Sequence, residues 1–76
     1  MATPRPAVEG QALTPRELQV LEQMALGMSR LETAELLFMA PSTVATHRER
    51  LSKKLGARNG MHAVMLAIRS GLLKVD

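Results

Sequence analysis

The sequence predicts an all-α fold, a bundle of four short helices, and three observations carry that expectation. The apolar residues are 12 Leu, 10 Ala and 6 Met against 5 Val, one Ile and one Phe. That bias favours helix over the β-branched and aromatic composition of strands. Pro and Gly stand singly and punctuate the chain at Pro15, Gly27, Pro41, Gly56 and Gly71, leaving segments of helical length between them. Within those segments apolar residues recur at helical spacing. Seventy-six residues make about one small domain, and the absence of cysteine excludes disulfides, thiolate metal sites and Cys nucleophiles. So short a chain has a marginal core unless its helices pack well or another subunit covers apolar surface.

Residues 1–12, with Pro4 and Pro6, read as a flexible N-terminal arm, and residues 13–76 as the helical domain. The first helix opens at Leu13-Thr14-Pro15-Arg16-Glu17-Leu18. Thr14 can cap, Glu17 can reach back to its amide, and Pro15 occupies the first helical position. Leu13 and Leu18 stand at the two positions of a hydrophobic staple. Leu18, Leu21, Ala25 and Met28 form the expected inward line, with Gly27 as the stop. Ser29-Arg30-Leu31-Glu32 repeats the Ser-x-x-Glu signature, so a second helix is expected through about Phe38, with Ala34, Leu37 and Phe38 as its apolar positions. Proline lacks an amide donor and disfavours helix at the residue before it, so the second helix ends and a third begins near Pro41.

The third helix is expected from Pro41 to Leu55, stopped by Gly56. On a helical wheel Leu51 and Leu55 fall within about 20° of Val44, which defines a buried stripe flanked by His47 and the stem of Arg48. The opposite stripe, Ser42, Thr46, Glu49, Arg50 and Lys53, is polar throughout. A fourth helix follows the cap Asn59 and runs to about Ser70. Met61, Ala63, Val64, Met65, Leu66, Ala67 and Ile68 make it apolar nearly all round. One face can meet the core, and the remainder, Met61, Val64, Met65 and Ile68, predicts an association surface.

Charge separates along the chain. From Glu9 to Glu35 five acids oppose two bases, a balance of −3; from Ser42 to Arg58 five bases oppose one acid, a balance of +4. Basic charge gathered on one element is the footprint of polyanion binding. A short helix, a tight turn and a polar-faced helix form helix-turn-helix geometry, whose second member enters the major groove. The expected partner is therefore double-stranded DNA. Arg50 can bridge guanine O6 and N7, and Thr46 offers a hydroxyl or a methyl to a base edge. Glu49 could accept from a cytosine amino group or repel the backbone.

Leu13-Thr14-x-Arg16-Glu17 with Val20-Leu21, Ala25-x-Gly27-x-Ser29, Glu32-x-Ala34, Thr43-Val44-x-x-His47, Lys54-Leu55-Gly56 and Ala63-Val64 resemble the LuxR/FixJ-type helix-turn-helix DNA-binding domain. The resemblance spans Leu13 to Leu73 in order and without gaps, and the short chain resembles the stand-alone GerE-type regulators. It implies a four-helix LuxR-type bundle, a third helix in the major groove and a fourth that pairs two subunits. It implies phosphate contact for Thr43 and Lys54, base contact at Thr46, and a place between recognition helix and core for His47. The sequence departs from the pattern at four positions. Ala40 replaces the usual Ser or Thr cap, so that Ser42 must compensate or nothing does. Ala45 replaces a lysine, Glu49 a basic or polar base reader, and Gly60 an arginine.

The expected interface with DNA is thus Ser42, Thr43, Ala45, Thr46, Glu49, Arg50, Lys53 and Lys54, presented by a homodimeric transcriptional regulator. An alternative from another class is an antiactivator-like interaction module that captures a related regulator through the fourth helix. A third is the output portion of a longer regulator, with RNA polymerase as a further partner. No cofactor, metal or enzymatic activity is expected: His47 and His62 lack companion ligands, and the Ser and Thr residues are accounted for as caps. No apolar run long enough for a membrane span or a signal peptide occurs, and a cytoplasmic, nucleoid-associated residence is the expectation.

Overall fold

The computed structural model describes residues 12–74, so the arm expected over residues 1–12 lies, apart from Ala12, outside the described residues. Four helices follow in order: α1 (Pro15–Ala25), α2 (Arg30–Leu37), α3 (Pro41–Leu55) and α4 (Gly60–Arg69). No strand occurs among the described residues.

Both capping boxes form. The Glu17 amide donates to Thr14 Oγ1 at 3.1 Å while the Thr14 amide donates to Glu17 Oε1 at 2.9 Å. Ser29 and Glu32 repeat the exchange at 3.0 and 2.8 Å. Each pair satisfies amides that the first helical turn cannot. At α4, Asn59 Oδ1 accepts the His62 amide at 2.9 Å, and His62 Nδ1 accepts the amide of Arg58, one residue ahead of the cap, at 3.0 Å, so His62 ties the entering segment to the first turn. By contrast α3 starts at Ala40 with no side-chain cap. Ser42 does not compensate, and Pro41 starts the helix without one.

α3 is the hub, packing against α1, α2 and α4, while α4 also closes on α1. Val44, Leu51 and Leu55 are buried on α3 as the helical wheel predicts, against Val20 and Leu21 of α1, Ala34 of α2, and Ala63, Ala67 and Leu73 at the C-terminal end. Alanines on α4 let its backbone approach closely, and Leu73 folds back, its amide donating to the Ala67 carbonyl at 3.1 Å.

Two expectations for the first half of the core need correction. The inward line of α1 is Glu17, Val20 and Leu21, with Met24 packed beside them, whereas Ala25 is exposed and Met28 lies beyond the helix. A carboxylate at the head of an apolar line hides that register from a purely hydrophobic reading. Phe38, expected among the apolar positions of α2, instead ends the helix in the left-handed region at φ 56° and is 95% exposed.

Candidate nucleic-acid interface

The outer face of α3 is built by exclusion. Three apolar residues spaced at seven and four bury one stripe, and every residue half a turn away must then face solvent. Ser42, Thr43, Thr46, Glu49, Arg50 and Lys53 are exposed, and Ala45 is half-buried at the edge of this face. Thr46 Oγ1 donates to the Ser42 carbonyl at 3.0 Å. Its proton is thus used within the helix, leaving the hydroxyl lone pairs and the methyl to meet an incoming group. Arg58, just past α3, is also exposed.

Two of the five clustered cations are engaged inside the fold. Arg48 Nη2 donates to the Met28 carbonyl at 3.1 Å, tying α3 to the loop before α2. Lys54 Nζ lies 2.7 Å from Glu17 Oε1, with side chains 22% and 3% exposed, and also donates to the Ala12 carbonyl at 3.3 Å. Lys54 therefore reaches the edge of the basic face with part of its charge already matched. Among the described residues the exposed cations of this face are Arg50, Lys53 and Arg58. Sequence reasoning assigned Glu17 to a local cap and missed its second role, because the partner stands 37 residues away along the chain.

Burial pushes the Glu17 carboxyl up, but the Lys54 hydrogen bond, the Thr14 amide and the charges of Lys54 and His47 outweigh it, so the group is held below the usual carboxylate range. Hydrogen bonds from the Ser29 amide and hydroxyl likewise hold exposed Glu32 low. A carboxyl whose folded pKa is depressed stabilises the fold above its unfolded pKa, near 4.3, and that contribution is lost as pH falls through the folded value. The wild type should therefore lose stability below about pH 4. Glu17→Gln should flatten much of that acid limb while costing about 1–2 kcal/mol at neutral pH, where Lys54 keeps a route to solvent. Urea unfolding at a series of pH values measures both, and an unchanged acid limb in Glu17→Gln would remove the assignment.

Among the described residues no group of three His, Asp or Glu side chains is placed to hold a metal ion. His47 of α3 is half-buried, and its Nδ1 has no hydrogen-bond partner among the described residues. No helix among the described residues is long and apolar enough to cross a membrane.

Residues 11–67 match the family model described as bacterial regulatory proteins, luxR family. The chain is 44% identical over 64 residues to the uncharacterized transcriptional regulatory protein YxjL of Bacillus subtilis, covering 84% of this chain and 29% of that protein. It is 39% identical over 71 residues to the transcriptional activator protein BjaR1 of Bradyrhizobium diazoefficiens, covering 93% of this chain and 28% of that one. The chain thus spans less than a third of the length of these relatives.

Proposed function

The chain belongs to the luxR family of bacterial regulatory proteins, whose members are transcriptional regulators and not enzymes, and from that premise we propose that it binds specific double-stranded DNA as a homodimer with α3 in the major groove. One observation carries the reading: the fully polar, exposed face of α3 stands opposite a completely buried apolar stripe, so the helix is held by its inner side and presents the outer one. In this reading Arg50 and Lys53 flank the groove. Ser42 and Thr43 meet phosphate near the start of α3, and Thr46 and Glu49 face base edges, with Ala45 leaving room beside them. Lys54 contributes at the rim, oriented by Glu17. Two subunits meet across α4 through Met61, Val64, Met65 and Ile68, which sets the spacing of two half-sites. In this reading the protein works beside DNA in the cytoplasm.

Glu49 supplies the test. A carboxylate among phosphates is unfavourable unless it accepts from a base. Glu49→Lys changes the local charge by two, and non-specific DNA binding should tighten, with the salt slope steeper by about one per new phosphate contact. If Glu49 reads cytosine, discrimination at one base pair should fall by roughly 1–3 kcal/mol at the same time. Gel shifts on specific and scrambled duplexes measure both quantities. A variant with unaltered DNA binding would show that this face does not meet DNA. The exposed residues of α4 would then favour a module that captures a related regulator.

A further inference from the structure

The exposed side of α2 carries a second apolar surface that neither the DNA face nor α4 uses. Leu36 is 50% exposed and Phe38 95%. Leu36 and Phe38 line a shallow groove of about 410 Å³ together with Met28, Glu32 and Glu35. Phe38 is the only aromatic residue of the chain, and its backbone sits at φ 56°, ψ 47°, where a bulky L-residue is an outlier. Glycine would occupy that position without strain. An aromatic ring that is strained at its backbone and bare at its side chain contributes little to the fold, and such outliers gather where a surface is used.

The charges around the groove say what kind of surface would cover it. Both charged residues lining it are acids, Glu32 and Glu35. Glu32 stays ionised well below neutral pH through its bonds with Ser29. A phosphate backbone is repelled by that rim, and a cationic partner is drawn to it. We propose that Leu36 and Phe38, rimmed by Glu32 and Glu35, form a docking site for a basic amphipathic helix of another protein, with its apolar face on the two side chains and lysines or arginines on the two carboxylates. The site gives the domain a protein contact at the C-terminal end of α2, on residues the DNA face does not use; Arg48, the cation that reaches the groove lining, is bonded to the Met28 carbonyl.

A fluorescein-labelled amphipathic peptide of leucine and lysine, and its leucine–glutamate counterpart, serve as probes in anisotropy titrations with the whole chain. The lysine peptide should bind, and the glutamate peptide should bind about tenfold more weakly or not at all. Phe38→Gly should weaken lysine-peptide binding by about tenfold or more. Its melting temperature should hold or rise by roughly 4 °C, since relieved backbone strain offsets the lost ring. Glu35→Lys should also weaken binding, while Met65→Glu on α4 should leave it intact. Equal binding of the two peptides, full binding by Phe38→Gly, or a marked fall in its melting temperature would each overturn the proposal. So would loss of self-association in Phe38→Gly, which would make a second copy the occupant, or a loss of DNA affinity matching the loss of peptide affinity.

Discussion

Binding to its DNA site should weaken on the order of 10³-fold between about 50 and 200 mM salt. The magnitude follows from the side chains free to release counterions. Of the five basic residues between Ser42 and Arg58, Arg48 is bonded to the Met28 carbonyl and Lys54 is paired with Glu17. Arg50, Lys53 and Arg58 remain exposed, so a dimer offers about six phosphate contacts, and each contributes roughly −0.9 to the slope of log affinity against log salt. The expected slope is therefore near −5, and Arg50→Ala should lessen it by about two, one contact per subunit. Arg50→Ala should in addition relax sequence preference if the guanidinium bridges a guanine. Gel-shift titrations across the salt series give slope and affinity together. Absence of binding at the lowest salt, or a slope near zero, would dismiss the DNA-binding dimer.

How much of this was legible beforehand depends on the range of the interaction that decides each feature. Capping boxes are local, three residues across, and Thr14-x-x-Glu17 and Ser29-x-x-Glu32 marked two helix starts without any tertiary information. The buried stripe of α3 follows from periodicity alone, and with it the exposed face that carries the candidate site. What was hidden depended on partners distant in sequence. Glu17 reads as a cap and is one, yet Lys54, arriving from the far end of α3, makes it a buried half of an ion pair at the head of the α1 core line. Arg48 counts by composition among the five clustered bases, and only the path of the loop after α1 shows its guanidinium turned to a carbonyl. Phe38 misled for a different reason. Hydrophobicity assigned it inward, while the turn to Pro41 demands a left-handed residue there, and backbone geometry decided the outcome. The family match then bore out the helix-turn-helix assignment that the ordered motifs had suggested.

Met65→Glu should turn the protein monomeric while leaving it folded. On α4, Ala63 and Ala67 are buried, Met61 is 80% exposed, Met65 53% and Ile68 37%, so the apolar side chains facing away from the core lie in one row. Val64 is half-buried and packs against the core, which makes Val64→Arg a test of folding as much as of association. Met65 lacks that ambiguity. A two-fold seam places each Met65 near its mate, and two unpaired carboxylates desolvated there should lower dimer affinity by at least about a hundredfold, near 3 kcal/mol. Far-ultraviolet circular dichroism should stay helical, since the substituted side chain is exposed in the isolated subunit. The consequence for DNA is separable from the loss of affinity itself. A monomer brings about three phosphate contacts in place of six, so the salt slope should fall by half, to between −2 and −3. Sedimentation and salt-dependent gel shifts on the same preparations read the two effects independently. Wild-type protein that sediments as a monomer at high micromolar concentration would refute the dimer. A variant that is monomeric yet keeps the full slope would show that DNA contacts arise within one subunit and that α4 serves association alone.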